Sequence, residues 1–343
     1  MRRLLALASI ALASGVTALA QSKPAVPLDP IAAIIDAFRT HDIVALGEGR
    51  HNNDQGYAFR LALIRDPRFA AAVNDIVVES GSAAHQDVMD RFIRGEPVPD
   101  KELRLAWQDT TNADGPWDVP MYEEFFRAVR TLNASLAPER KLRVLLGDPP
   151  FDWEHATREE SIRISSRRDS FPAELIQREV LAKQRRALVV YGDMHFARRP
   201  LGSNIVTRLV DMKARVLNIW THASTVDLQT LQNDIAGWPR PSLAMTAGTS
   251  LGAARFGFYR ALGVGDEIRM EEQFDAVLYL GQPSSITVRR GEIDPALCAD
   301  ANYMKMRMSR LALMEPPGGA TLPPGIVSPS ERLKRYCESV TAR

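Results

Sequence analysis

The chain has 343 residues, of which 45% are hydrophobic and 25% charged, and its 43 Lys and Arg balance 42 Asp and Glu to a net charge of +1. That near balance gives no bulk electrostatic ground for binding nucleic acid or a membrane surface, and the arginine-rich patches read as solvated helix faces. The length suits one large domain or two small ones with a substantial buried core.

At the start, Met1-Arg2-Arg3, the apolar run Leu4 to Val16 and Ala18-Leu19-Ala20 have the basic, apolar and small-residue parts of a secretory signal, residues 1–20. Cleavage is expected near Ala20, giving an exported protein, periplasmic or secreted. A membrane anchor is the weaker reading, because the apolar run is short and ends in Gln21-Ser22-Lys23-Pro24. No cysteine precedes Cys298, so a lipid anchor on this segment is not expected.

Residues 21–290 are expected to form an α/β domain with a mostly parallel central sheet and helices on both faces. The strand candidates are Ile43 to Leu46, Ile76 to Val78, Leu142 to Leu146, Ala187 to Tyr191, Val216 to Trp220 and Ala276 to Leu280. Between them, Asn53 to Ile64, Ser82 to Ile93, Met121 to Leu136, Ala173 to Arg185 and Asn204 to Met212 carry apolar residues at helical spacing. The segment 95–120 breaks the alternation: it is rich in Pro, Gly, Asp and Asn and holds Trp107 and Trp117. It reads as an irregular insertion, either a lid or a surface loop with a private aromatic cluster. Past Gly281 the rhythm is lost, and Pro316-Pro317-Gly318-Gly319 with Pro323-Pro324-Gly325 marks an irregular C-terminal tail, 291–343. Its two cysteines, Cys298 and Cys337, read as one disulfide stapling the tail, with two free thiols as the alternative.

The strand ends carry the chemistry. The first strand runs through Gly47 into Glu48 and His51, the second into Glu79, the third into Gly147-Asp148, the fourth into Gly192-Asp193-Met194-His195 and the fifth into Thr221-His222. Ligands of open α/β sheets sit beyond these carboxyl ends. Each group alone has a structural reading as a helix cap or a satisfied histidine, but the coincidence of five successive strands ending in ionisable groups favours a functional reading for those of the first, second and fourth. His41, His85 and His155 lack that setting and read as structural or surface residues.

The run Leu46-Gly47-Glu48-Gly49-Arg50-His51, with Arg60 and then Val77-Val78-Glu79, resembles the G-E-x-x-H, following Arg and second-strand Glu of erythromycin esterase-like proteins. Their wider superfamily includes Tiki-type metalloproteases and ChaN-like haem-binding proteins. Trp117 to Asn133 and Gly192-Asp193-Met194-His195 resemble two later blocks of that superfamily. The resemblance implies an α/β fold and a site built from Glu48, His51, Arg60, Glu79 and His195, acting on a small molecule. In its esterase form it implies a hydrolase of a carboxylic ester or related bond, in its Tiki form a bound metal, and in its ChaN form haem.

Chemically, a neutral His51 oriented by Glu48 or Glu79 would take a proton from water attacking a carbonyl, with Arg60 or His195 stabilising the oxyanion or protonating the leaving group. That route needs no cofactor. The alternative is Zn or Mn held by His51, Glu79 and His195 with bound water as nucleophile. Ser80-Gly81-Ser82 and Ser203 lack the G-x-S-x-G frame, so covalent serine catalysis there is not expected.

Overall fold

The computed structural model describes residues 22–198, 202–222, 235–255, 268–289, 291–315 and 327–342. Residues 1–20, expected to be a secretory signal, and the Pro/Gly run 316–325 lie outside the described residues.

Among the described residues, seven strands form the sheet: β1 (Ile43–Gly47), β2 (Asp75–Ser82), β3 (Arg143–Asp148), β4 (Ala187–Tyr191), β5 (Val216–His222), β6 (Ser242–Met245) and β7 (Ala276–Tyr279). Their order is β3-β2-β4-β1-β5-β7-β6, and every described pairing is parallel except β6 against β7. Strands covered on both faces need apolar residues at every position, so β1, Ile-Val-Ala-Leu-Gly, and β4, Ala-Leu-Val-Val-Tyr, are buried throughout. One face packs Val44, Leu46, Ile76, Val78, Leu188 and Val190 against helices Asp54–Arg65, Gln86–Arg94 and Pro120–Ser135. The other packs Ala45, Val77, Val189 and Tyr191 against Ser170–Glu179 and Ile205–Asp211.

Register levels the strand ends. Leu46 and Val78 both pair with Val190 of the central β4, and Gly47 pairs with Tyr191. The residues that follow, Glu48, Glu79 and Gly192, therefore emerge together at one edge.

Two segments depart from expectation. The insertion is not wholly irregular: Pro99 precedes a helix, Asp100–Gln108, whose first turn carries Asp100 and Glu102, where acidic groups favour the helix dipole. Its apolar face, Leu103, Ala106 and Trp107, joins the main core, where Trp107 stacks on Phe126 at 5.8 Å. Trp117 is buried in that core too, so the two tryptophans form no separate cluster. The edge strand β6 was not anticipated, since four residues, Ser-Leu-Ala-Met, are too short to show a period.

The C-terminal region combines helices Pro295–Ala299, Ala301–Met314 and Pro329–Thr341 with irregular stretches. A disulfide joins Cys298 to Cys337, with Cα atoms 5.2 Å apart, beside a small cluster of Ile293, Leu297 and Tyr303. Among the described residues, no helix is long and apolar enough to cross a membrane.

Candidate active site

Beyond β1 the chain must turn within a few residues, and it does so with Gly49 at φ 68° and Asn52 at φ 63°. Left-handed backbone favours Gly and tolerates Asn, so this loop takes its shape from residues suited to it. Asn53 closes it. Its carboxamide caps the next helix by accepting from the Gly56 N–H at 2.5 Å, and its Nδ2 donates to the carbonyls of Glu48 at 2.9 Å and Arg50 at 2.6 Å. One buried side chain thus starts a helix and fixes the loop that carries Glu48 and His51.

His51 Nδ1 lies 2.7 Å from Glu48 Oε2, while Arg60 Nη2 reaches Glu48 Oε1 at 3.2 Å. Glu48 and Arg60 are buried, whereas the His51 side chain keeps 37% of its surface exposed. The ring stands edge-to-face against Trp117, with centroids 4.8 Å apart, and Trp117 meets Tyr122 in the same way at 5.0 Å. On its other side the ring lies over Gly192, where an added Cβ would come within 3.2 Å of Nε2. Glycine there lets the ring approach the end of β4.

Glu79 is the hub of the second half. Its Oε2 accepts from the Gly192 N–H at 2.8 Å; its Oε1 faces His195 Nε2 at 3.3 Å and is ion-paired with Arg168. His195 Nδ1 in turn lies 2.8 Å from Asp169 Oδ1. Arg168 also stands 3.7 Å from Asp148, whose carboxylate accepts from the N–H and hydroxyl of Thr111 at 2.6 and 2.8 Å.

The surroundings set the protonation states. Burial alone would discharge His195, but the adjacent Glu79 and Asp169 carboxylates outweigh it and hold the imidazole up at about 9. Burial likewise opposes the Glu79 charge, and His195, His51 and Arg168 overcome it, keeping this carboxyl well below the usual range. For His51, burial pulls downward and the Glu48 hydrogen bond and Glu79 charge pull harder, so its pKa is raised. Asp148 and Asp193 are each pushed up to about 7 by burial, against partial relief from Arg168 and Thr111 for the first and the Thr221 N–H for the second.

Four of the five expected residues, Glu48, His51, Glu79 and His195, meet around Gly192, and Arg60 joins them through Glu48. Arg60 and His195 aim their donors at carboxylates. The histidines read as structural are so placed: His41 beside the Ala37 carbonyl, His85 on Asp109, and exposed His155 on Asp152. His222 ends β5 buried among Trp220 and Tyr279, apart from this cluster. Arg168 and Asp169 were missed, because Arg167-Arg168-Asp169 lies between helices and resembles a solvated charge run.

Ligand atoms of Glu48, His51 and Glu79 lie within 4.8 Å of one another, a different trio from His51, Glu79 and His195. His195 stands outside it, both nitrogens facing carboxylates. Arg60, Arg168 and protonated His195 already supply the positive charge a divalent ion would bring, so the donor set fits proton transfer better than a metal. Among the described residues, the exposed large apolar side chains include Met194, the sequence neighbour of His195.

No protein-family model matches the sequence, and no curated protein matches it. Solved structures do. A succinoglycan biosynthesis protein superposes with a TM-score of 0.53 at 11% identity, over 75% of this chain and 94% of that one. What is shared is the fold. A mutant of the erythromycin esterase EreC in its open conformation matches at 13% identity and a TM-score of 0.49, over 72% of this chain and 92% of that one. ChaN of Campylobacter jejuni, a structure showing cofacial haem binding, matches at 14% and 0.39, over 58% and 88%.

Proposed function

We propose that the protein is an exported hydrolase in which His51 acts as general base toward water attacking a carboxylic ester or related bond. The observation that carries this reading is the 2.7 Å contact between His51 Nδ1 and buried Glu48, on a ring still partly open to solvent. A carboxylate on Nδ1 fixes the tautomer with its lone pair on Nε2, stabilises the imidazolium that forms, and holds the ring in place. Arg60 holds the carboxylate in turn.

In the proposed reaction, Nε2 takes a proton as the water oxygen bonds to the carbonyl carbon. The imidazolium returns that proton to the leaving oxygen as the carbon–oxygen bond breaks. Glu79, ionised and anchored by Gly192, Arg168 and His195, favours the imidazolium from the far side. Export is supported by the basic, apolar and small-residue order of residues 1–20 and by the Cys298–Cys337 disulfide, a bond that persists in oxidising compartments.

A panel of p-nitrophenyl esters of increasing acyl size tests the reading. Turnover by the native chain that disappears in His51→Ala is expected; no turnover across the panel, or turnover untouched by the substitution, would overturn it.

A further inference from the structure

The helix Ala301–Met314 lies far along the chain from the strand ends, yet its buried face points at the loop beside them. Tyr303, Arg307, Arg310 and Leu311 share one face at helical spacing and are all buried. Asp300 caps its start, accepting from the N–H groups of Asn302 and Tyr303, and Arg158 binds the carbonyls of Met314 and Glu315 at its end, both at 2.7 Å. Cys298, just before it, is joined to Cys337.

From this fixed helix, Arg307, only 1% exposed, reaches Asp118 Oδ2 at 2.7 Å and the Ala113 carbonyl at 3.1 Å, and Tyr303 donates its hydroxyl to the same Asp118 oxygen. Arg310 donates to the Gln108 carbonyl at 2.6 Å and to Asp109 at 2.5 Å. Together they clamp the loop 109–118 from both ends. Gly115, at φ 59°, makes room for this: a Cβ there would fall 2.7 Å from the Arg307 guanidinium carbon. A surface arginine would need no such opening.

The clamped loop touches the site twice. Trp117, adjacent to Asp118, presents its ring to His51, and Thr111 binds both oxygens of Asp148, the carboxylate beside Arg168. We infer that Arg307 is a positioning residue of the active site, setting the His51 ring through Asp118 and Trp117. The inference rests on the reading of His51 as the proton carrier, but its test has a readout independent of turnover.

The full-length chain is compared with Arg307→Met and with the milder Tyr303→Phe. By NMR, the ring-current shift that Trp117 imposes on the His51 ring protons is read directly. Arg307→Met is expected to lose most of that shift, and kcat should fall about tenfold or more with KM within about twofold, as for a small misplacement of a reacting group. Tyr303→Phe should move both readouts the same way by less, and it serves if Arg307→Met fails to fold. In a Trp117→Phe background, neither substitution should lower kcat much further, because both act through that ring. Unchanged His51 shifts in folded Arg307→Met, or in Tyr303→Phe where the former does not fold, would overturn the assignment. So would full additivity with Trp117→Phe. Loss of the shift with no ester hydrolysis by the native chain would instead leave the positioning in place and remove the hydrolase reading.

Discussion

His195 Nε2 faces Glu79 Oε1 at 3.3 Å while its Nδ1 faces Asp169 Oδ1 at 2.8 Å, so one imidazole is shared by two carboxylates. This geometry gives the site a pH dependence with a definite sign. The folded pKa of His195 is raised to about 9, above the roughly 6.5 of an unfolded histidine, so its contribution is complete below about pH 6.5 and lost as pH rises through 9. Glu79 runs the other way: its folded pKa is depressed, so its contribution is present above the unfolded value near 4.3 and lost in acid. Denaturant midpoints between about pH 5 and 10 should decline on the alkaline side, and His195→Gln should flatten that decline. A native alkaline limb identical to that of the variant would show that the pair does not form.

Replacing Asn53 should injure stability and activity together. Asn53→Ala removes a helix cap worth about 1 kcal/mol and also frees the carbonyls of Glu48 and Arg50 from their common donor. We expect a loss of about 2 kcal/mol in denaturant unfolding, with kcat reduced more than KM is raised. A loss confined to stability would mean that the loop holds His51 without it.

The Cys298–Cys337 bond closes a loop with a sequence separation of 39, for which the chain-entropy relation gives about 4 kcal/mol. Non-reduced peptide mapping should recover the linked pair from protein purified without reductant. Cys337→Ser should lower the unfolding midpoint of the C-terminal helices, read by hydrogen exchange across residues 301–314. Two free thiols, or unchanged exchange, would contradict the staple.

Much of this architecture was legible because parallel, doubly covered strands must be apolar at every position: Ile43–Gly47 and Ala187–Tyr191 stand out as uninterrupted runs. The strand-end residues Glu48, His51, Glu79 and His195 followed from the rule that such sheets bind at their carboxyl edge. Trp117 was legible as an aromatic of a candidate lid and does meet His51, whereas Trp107, read with it, turns into the core. Arg168 and Asp169 were illegible as site residues because no local period or strand end marks them, and they arrive by tertiary packing. Arg307 was hidden for a related reason. An arginine on an amphipathic helix reads as solvated until a buried Asp118 is found opposite it.

The pH dependence of turnover should report Glu48 and His51 as a unit. With the His51 pKa raised by its Glu48 bond against the opposing effect of burial, the acid limb of kcat/KM should lie above the ordinary histidine value, and Glu48→Gln should move it down. An acid limb unmoved by that substitution would separate the two residues functionally.

Ester turnover by native and His51→Ala protein, with metal content measured on the same samples, decides whether His51 carries the proton. Proton transfer by His51 predicts hydrolysis by metal-free native protein and its loss, at least about a hundredfold, in a variant whose circular dichroism and unfolding midpoint are unchanged. Hydrolysis that persists in His51→Ala would contradict it, as would activity that depends on stoichiometric Zn or Mn lost in that variant.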